Sequence, residues 1–591
     1  MSTETVSFNA PDESNILGHR SGLFVLFFTE MWERFSFYGM RVLLINFLTM
    51  AIVGVDNPGW GWSVENAGAL FGTYAGLLYL TPIVGGLIAD KLVGYRWAVV
   101  IGASLMTLGH ACMALDTELS LYGGLALLVI GTGFFKPTMT SIISELYKKM
   151  PEKKDGAYTI YYMGVNAGAF FGMMLCGYLA EKIGWSWGFG LAGIFMFLGT
   201  IQFWLSKPLF GYIGDIPKNL PAIVEEDEIN HKANHFTLID KILIPVTALI
   251  GLLYILNDPL SKIANINILP KEFIFDADII SGPLVITCIG LVLFLYLVFS
   301  RIFRYERVVR DRMIAFVILA FFTVFFWMAF EQGATSLVLF ARDFTQRELF
   351  GAQASIFFIV DTFLTVIPLI IVSWVLYLLY KQTHKKILAS NLVLIFSFLI
   401  MWGIVAWKIN NEFTAETTEV TTSWFSILNS FFIIAFASLF SKWWESKYNP
   451  SGAIKFGLGL IVMGAGYAIL AFGTADIPQG AEPGSVRVGM IWLILAYLFH
   501  TLGELCSSPV GLSFVSKLVP ARMIGLMFGM WYLAIAIGNK LAATMGGMSE
   551  EIANEYSMST FFWIVTAFPV VSGVVIILLN PMIKRLMHGV K

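Results

Sequence analysis

The chain has 591 residues, of which 57% are hydrophobic and only 13% are charged. Soluble globular chains contain about 25% charged residues, so this composition indicates an integral membrane protein. The formal net charge of -2 argues against a nucleic-acid partner, because phosphate binding needs a concentrated basic face.

The four cysteines lie singly in separate apolar segments, so the sequence predicts neither a disulfide nor a metal site. The first twenty residues are polar and lead directly into a long apolar segment. A cleaved signal peptide would instead have a charged region, a short apolar region and a cleavage site. We therefore expect the first apolar segment to stay in the mature protein.

Apolar segments recur along the whole chain, and each is long enough for a membrane helix, which needs about 20 residues. The sequence predicts an all-α integral membrane fold with about sixteen transmembrane helices. Their approximate bounds are 22–50, 66–89, 97–115, 120–146, 157–181, 188–206, 241–257, 280–300, 313–341, 354–380, 387–407, 424–441, 453–472, 488–516, 522–545 and 560–580.

Lysine and arginine accumulate in cytoplasmic loops because their translocation is disfavoured. The basic segments 148–154, 301–312 and 381–386 all fall on one side if the N-terminus is inside. This distribution predicts an even number of spans, with both termini cytoplasmic. The polar stretch 207–240 is then a solvated cytoplasmic linker.

The first span carries four charged residues, Glu30, Glu33, Arg34 and Arg41, at spacings that place them on one helical face. Tyr38 lies near the edge of that face. A charge in a span costs about 2.5 to 3.5 kcal/mol on insertion scales, so the stripe is expected to face a water-filled cavity. The alternative is a purely structural cluster of salt bridges.

Six motifs resemble the proton-dependent oligopeptide transporter family, a branch of the major facilitator superfamily. The first, EMWERFSFYG at 30–39, is similar to the family's E-x-x-E-R-F-x-Y-Y-G, with Phe37 in place of a tyrosine. The other five follow in the family's order: GGLIADKLVGYR at 85–96, GTGFFKP at 131–137, YYMGVNAGAF at 161–170, FWMAFEQG at 326–333 and GELCSSPVGLS at 503–513.

The resemblance implies the major facilitator fold, with two six-helix bundles. A helix pair between the bundles is common in bacterial members, whereas a second pair is a departure. The expected organisation is a first bundle at 1–206, a linker and helix pair at 207–312, the first helix of the second bundle at 313–344, an additional hairpin at 345–420 and the remaining bundle at 421–591. The hairpin is expected to be peripheral, with its Asp361 in a solvated or structural role.

The resemblance also implies a peptide site. Arg41 and Lys136 would bind the peptide carboxylate, and Glu504, Asn166 and Asn429 would bind the amine. Aromatic residues would form side-chain pockets: Phe37, Tyr38, Tyr74, Trp327 and Trp531. Lys136 could instead extend to an interface, the asparagines could only bridge helices, and the aromatic rings could be ordinary packing.

Proton coupling needs a carboxylate whose proton affinity changes with conformation, since burial raises a carboxylate pKa and a nearby cation lowers it. In the family the corresponding pair is Glu331 with Arg41. A second set is Glu30 and Glu33, coupled to Lys136 or Arg34. His500 either modulates Glu504 or lies at the membrane interface.

The sequence therefore predicts a proton-coupled symporter that imports di- and tripeptides by alternating access across the plasma (inner) membrane. Protons are the coupling ion, no other cofactor is expected, lipid is the other partner, and a monomer is expected to suffice for transport. Carriers of nitrate, glucosides or drugs in the same fold commonly lack the complete ExxER present here. An enzyme would need a nucleophile and base or a metal cluster, and a channel or scaffold would not need both charge signs in opposite halves.

Overall fold

The protein was analysed as a computed structural model. The structure describes residues 11–216, 235–275, 278–415, 417–518 and 524–590. Most of the predicted linker at 207–240 lies outside these ranges.

The described part of the chain is almost entirely helical. Its α-helices are α1 Ser21–Thr49, α2 Val64–Ile88, α3 Tyr95–Met113, α4 Glu118–Leu146, α5 Lys154–Lys182, α6 Trp185–Leu205, α7 Lys207–Phe210, α8 Leu238–Ile263, α9 Gly282–Ile302, α10 Arg307–Phe330, α11 Ser336–Asp343, α12 Ala352–Thr383, α13 Leu388–Thr414, α14 Thr422–Glu445, α15 Gly452–Gly473, α16 Ile491–Leu518, α17 Ile524–Gly547, α18 Ser549–Glu555, α19 Met558–Leu578 and α20 Asn580–Leu586.

Short segments complete the secondary structure. A π-helical turn follows α2 at Ala89–Val93, and 3₁₀ turns lie at Pro151–Lys153 and Glu331–Ala334. The strands are β1 Asn15–Ile16, β2 His19–Arg20, β3 Glu272–Phe275, β4 Asp278–Ser281, β5 Thr345–Gln346, β6 Glu348–Phe350, β7 Thr417–Glu419 and β8 Val488–Gly489. Strands β1 and β2, β3 and β4, and β6 and β7 pair antiparallel.

Within the described residues, 12 helical segments are long and apolar enough to cross a membrane. They are Val64–Val93, Glu118–Leu146, Pro151–Lys182, Trp185–Leu205, Leu238–Ile263, Gly282–Ile302, Arg307–Asp343, Ala352–Thr383, Leu388–Thr414, Thr422–Glu445, Gly452–Gly473 and Met558–Leu578. The other long helices are α1, α3, α16 and α17. Each predicted segment is thus helical, but the predicted number of about sixteen spans is not confirmed.

The chain forms two compact units. Unit one contains α1, α3 to α7, α12 and α13, together with α2 from Leu78 onward and α14 up to Phe431. Unit two contains α8 to α10 and α15 to α20, with α2 up to Leu77 and α14 from Phe432.

In unit one, a row of glycines on α5 packs against the backbone of α1. Gly164, Gly168 and Gly172 recur every four residues, so they lie on one face of α5. A β-carbon at Gly168 would lie 2.2 Å from the carbonyl oxygen of Met31, a distance that real β-carbons do not adopt. Small residues at such spacing let membrane helices approach closely where the hydrophobic effect cannot drive association.

The additional hairpin, α12 and α13, belongs to unit one. The ring of Phe398 on α13 lies 5.7 Å from the rings of Trp32 and Phe28 on α1. Ser390 donates a 2.9 Å hydrogen bond to the carbonyl oxygen of Gln202 on α6. Apolar and polar side chains of the hairpin thus cover the outer faces of α1 and α6.

Unit two is built around α15, which packs against α16 and α19, while α10 packs against α17. Glycines again permit the closest approach: a β-carbon at Gly459 would lie 2.6 Å from the carbonyl oxygen of Gly503. The inter-bundle helices α8 and α9 pack on each other, and Asp240 of α8 accepts bonds from Arg301 and Arg304. These contacts join the ends of the predicted helix pair.

Gly168→Ala is expected to destabilise the protein by about 1 to 3 kcal/mol, because the added methyl group overpacks the contact between α1 and α5. Gly403→Ala on α13 is the matched control, since nothing lies within 4 Å of its β-carbon position. Thermal unfolding in detergent measures both variants. Equal melting temperatures would contradict the role given to the glycine row.

Candidate functional site

The charged face of α1 forms a buried ion cluster in unit one. Arg34 Nε lies 2.8 Å from Glu30 Oε1 and 3.0 Å from Glu33 Oε2. The carboxylates are 2% and 0% exposed, and Lys136 of α4 lies within electrostatic range of all three groups. Arg34 thus pairs directly with both carboxylates, whereas Lys136 interacts with them from a greater distance.

Phe37 lies between two guanidinium groups. Its ring centroid is 5.7 Å from Arg34 Cζ and 5.8 Å from Arg41 Cζ, both within the range of cation–π attraction. The ring also meets Tyr38 edge to face at 4.9 Å. The residue that departs from the family pattern thus bridges the two arginines of the predicted site.

Two further predicted residues of unit one have defined contacts. Lys136 places Nζ 4.1 Å from the ring centroid of Tyr79 on α2, so its side chain lies on an aromatic face inside the unit. Asn166 of α5 is largely buried, and its amide donates a 2.9 Å bond to the carbonyl oxygen of Tyr162. Asn429 lies partly exposed on α14.

Glu331 begins the 3₁₀ turn that interrupts the helical path after α10 in unit two, and it is 2% exposed. The turn is held by its neighbour Gln332, whose Nε2 donates to the carbonyl oxygen of Ala542 at 3.0 Å. The side-chain oxygen of Gln332 accepts a 2.6 Å bond from Ser336. Tyr497 donates to the carbonyl oxygen of Gly333 at 3.3 Å.

The aromatic candidates of unit two lie in packed environments. The Trp531 ring is 6.1 Å from that of Phe316, and the Trp327 ring is 5.5 Å from that of Phe330. Tyr74, on the part of α2 that belongs to unit two, is buried.

Glu504 is partly exposed on α16, one helical turn after His500. His500 is buried, with its ring 4.5 Å from that of Tyr467. Aromatic rings of unit two thus enclose His500.

A second buried charge cluster lies in the additional hairpin and was missed as a cluster. Asp361 of α12 pairs with Lys408 of α13, whose Nζ also lies 2.9 Å from Glu412. Asp361 and Lys408 are 1% and 3% exposed, so the solvated alternative for Asp361 is wrong. Asp361 was visible in the sequence as a charge in an apolar segment and Lys408 follows directly after another, but nothing in their spacing identified them as partners.

A third cluster occurs in unit two. Lys540 of α17 pairs with Asp258 of α8 and donates a 3.3 Å bond to Thr73 of α2. Lys262, one turn after Asp258, lies 3.0 Å from Glu65. The sequence marked Lys540 as a charge within a span, and the structure supplies its partner from the inter-bundle helix pair.

These clusters determine what the molecule can do chemically. Buried carboxylates beside arginine and lysine can gain and lose protons, and the same groups can bind a ligand that carries both charge signs. In the described ranges, no group of three or more His, Cys, Asp or Glu side chains is arranged to hold a metal ion.

The chain belongs to the POT family, whose model matches residues 96–414 and 393–564. It is 31% identical to the peptide transporter YePEPT of Yersinia enterocolitica, over 99% of this chain and 98% of that protein. It is 27% identical to a di-/tripeptide transporter of Lactococcus lactis, over 98% and 99% of the two chains. These relatives are transporters and not enzymes.

Solved structures agree with this assignment. A crystal structure of the peptide transporter POT, in a mutant bound to alafosfalin, matches with a TM-score of 0.69 at 26% identity, covering 98% of each chain. A POT family transporter in complex with 5-aminolevulinic acid matches with a TM-score of 0.68 at 25% identity, covering 97% of this chain and 99% of that one. The helical membrane fold is thus that of POT transporters.

Replacing both Glu30 and Glu33 by glutamine is expected to lower the melting temperature by more than the sum of the single changes. Each single variant leaves Arg34 one carboxylate within 3.0 Å, whereas the double variant leaves a buried cation without its carboxylates, which costs about 3 to 5 kcal/mol. Adding Arg34→Met to the double variant should restore stability. Strictly additive effects in thermal unfolding would contradict the cluster.

Proposed function

We propose that the protein is a proton-coupled symporter that imports di- and tripeptides by alternating access. The observation that carries this proposal is the buried face of α1, where two carboxylates lie within 3.0 Å of Arg34 and Arg41 follows on the far side of Phe37. Relatives named as peptide and di-/tripeptide transporters over nearly the whole chain support the choice of substrate.

A peptide in its zwitterionic form needs a cationic group for its carboxylate and an anionic group for its amine. We assign the carboxylate to Arg41 and Lys136 in unit one. We assign the amine to Glu504 in unit two, with Asn166 and Asn429 as hydrogen-bonding partners. A related transporter crystallised with 5-aminolevulinic acid, which also has an amine and a carboxylate, supports this division. Side-chain pockets are assigned to Phe37, Tyr38, Tyr74, Trp327 and Trp531.

Coupling is assigned to Glu331 and Arg41. Alternating access in transporters proceeds by rocking of two halves, and a pair of this kind would form and break in each cycle. A carboxylate paired with a guanidinium releases its proton, and a buried carboxylate without that partner takes one up. Glu30 and Glu33 are the second candidate set, held in place by Arg34.

The proposed topology adds α1, α3, α16 and α17 to the twelve apolar segments, which gives sixteen spans in the plasma (inner) membrane with both termini cytoplasmic. The charges on α1 lower its mean hydropathy, yet they pair within the protein and so do not require contact with lipid. A monomer contains every assigned residue and is proposed to suffice. Uptake of dialanine in proteoliposomes under an imposed pH gradient, compared with nitrate and a free amino acid, tests the substrate class.

Glu331→Gln is expected to abolish peptide uptake driven by a pH gradient while retaining some peptide counterflow. Gradient-driven transport requires the carboxylate to gain and lose a proton in each cycle, whereas exchange of internal and external peptide moves no net proton. Both activities are measured in the same proteoliposomes, with Glu152→Gln, an exposed position on the Pro151–Lys153 turn, as control. Accumulation at the parental level would transfer coupling to Glu30 and Glu33.

Glu504→Gln is expected to weaken binding of dialanine about tenfold or more, since loss of a charged hydrogen-bond partner costs about 1.5 to 3 kcal/mol. Peptides acetylated at the amine should lose little further affinity in the variant. Binding to the purified protein is measured for both ligands. Unchanged affinity for dialanine would remove Glu504 from the amine site.

A further inference from the structure

The additional hairpin is joined to the first turn of α14 through the buried Asp361–Lys408 pair. Trp424 of α14 donates its indole N–H to Asp361 Oδ1 at 3.0 Å, and its ring lies 5.2 Å from that of Phe357 on α12. Trp424 is 8% exposed. The other carboxylate oxygen of Asp361, Oδ2, pairs with Lys408. The carboxylate therefore cannot rotate away from the indole without breaking this ion pair.

A second contact holds the same turn from α5. Glu181 Oε1 accepts bonds from the backbone amide of Thr422 at 2.8 Å and from its hydroxyl at 2.5 Å. Asn46 of α1 also donates to that hydroxyl at 2.9 Å. These bonds satisfy donors at the helix N-terminus, where a carboxylate is favoured by the helix dipole.

We propose that Trp424, held by Asp361, is a positioning residue for Asn429 in the peptide site. This inference rests on the proposed function, in which Asn429 contacts the substrate amine. Through its contact with α14, the additional hairpin then has a role in transport. The sequence left that role unassigned.

The argument is geometric. Successive residues of an α-helix are separated by about 100° of rotation and 1.5 Å of rise. The side chains of Thr422 and Trp424 therefore project from α14 in directions about 200° apart. Two anchors on opposite sides of a helix axis together resist rotation of the helix in either direction. Asn429 lies five residues after Trp424, about 7.5 Å along the axis, and it turns with the same rigid segment.

Trp424→Phe removes the indole hydrogen bond while keeping an aromatic ring against Phe357. The matched control is Trp402→Phe on α13, because Trp402 Nε1 donates a 3.1 Å bond to Ser373 of α12 and so remains within the hairpin. Binding of dialanine and acetyl-dialanine to full-length purified protein is measured for both variants, alone and combined with Asn429→Ala. Hydrogen exchange of the segment 422–433 is followed in parallel.

Trp424→Phe is expected to raise the Kd for dialanine about three- to tenfold, in line with the loss of one hydrogen bond, and to leave acetyl-dialanine unchanged. It should have no further effect in the Asn429→Ala background, and it should speed exchange in 422–433. Trp402→Phe should change none of these. An equal effect of Trp402→Phe, or additivity with Asn429→Ala, overturns the proposal.

Hydrogen exchange distinguishes a wrong substrate assignment from a wrong positioning role. If the parent protein binds no dialanine, the proposed substrate is wrong, and the positioning of α14 is then judged by exchange alone. Unchanged exchange in 422–433 overturns the positioning role, whatever the parent binds.

Discussion

The close approach of α5 to α1 is the constraint on which the site in unit one depends. A β-carbon at Gly168 would meet not only the carbonyl oxygen of Met31 but also Cβ of Arg34, at 2.9 Å. The absence of a side chain at Gly168 therefore makes the room in which Arg34 lies beside its two carboxylates. In lipid, where apolar surface gains little from association, such packing is a main source of helix–helix affinity.

The buried charge clusters of this protein differ in whether they lie on one helix or join several. Amino-acid composition alone does not reveal this difference. Glu30, Glu33 and Arg34 pair within a single helix, which also carries Phe37 and Arg41. The Asp361–Lys408 and Asp258–Lys540 pairs instead join helices that are distant in sequence. The cost of placing charge inside the bilayer is offset in all three clusters by pairing.

The lengths of the apolar segments predicted every long helix, because a helix that crosses a membrane must match the thickness of the bilayer core. The 3.6-residue period likewise placed the charges of α1 on one face. Partner identity was not predictable: Asp361 and Lys408 are 47 residues apart, and Lys540 and Asp258 are 282 apart, separations over which no periodicity holds. The same limit left the role of Asp361 open between solvated and structural, since its partners come from remote segments.

The position of the hairpin in unit one also sets an order for biogenesis. The faces of α1 and α6 that receive Phe398 and Ser390 are synthesised early, yet α13 begins about 180 residues after α6 ends. At a synthesis rate of ~5–20 residues per second, about 10 to 40 s pass between the end of α6 and the start of α13. During that interval the growing chain exposes Phe28 and Trp32 to lipid or to the insertion machinery, and the nascent first bundle becomes complete only after α13 has entered the membrane.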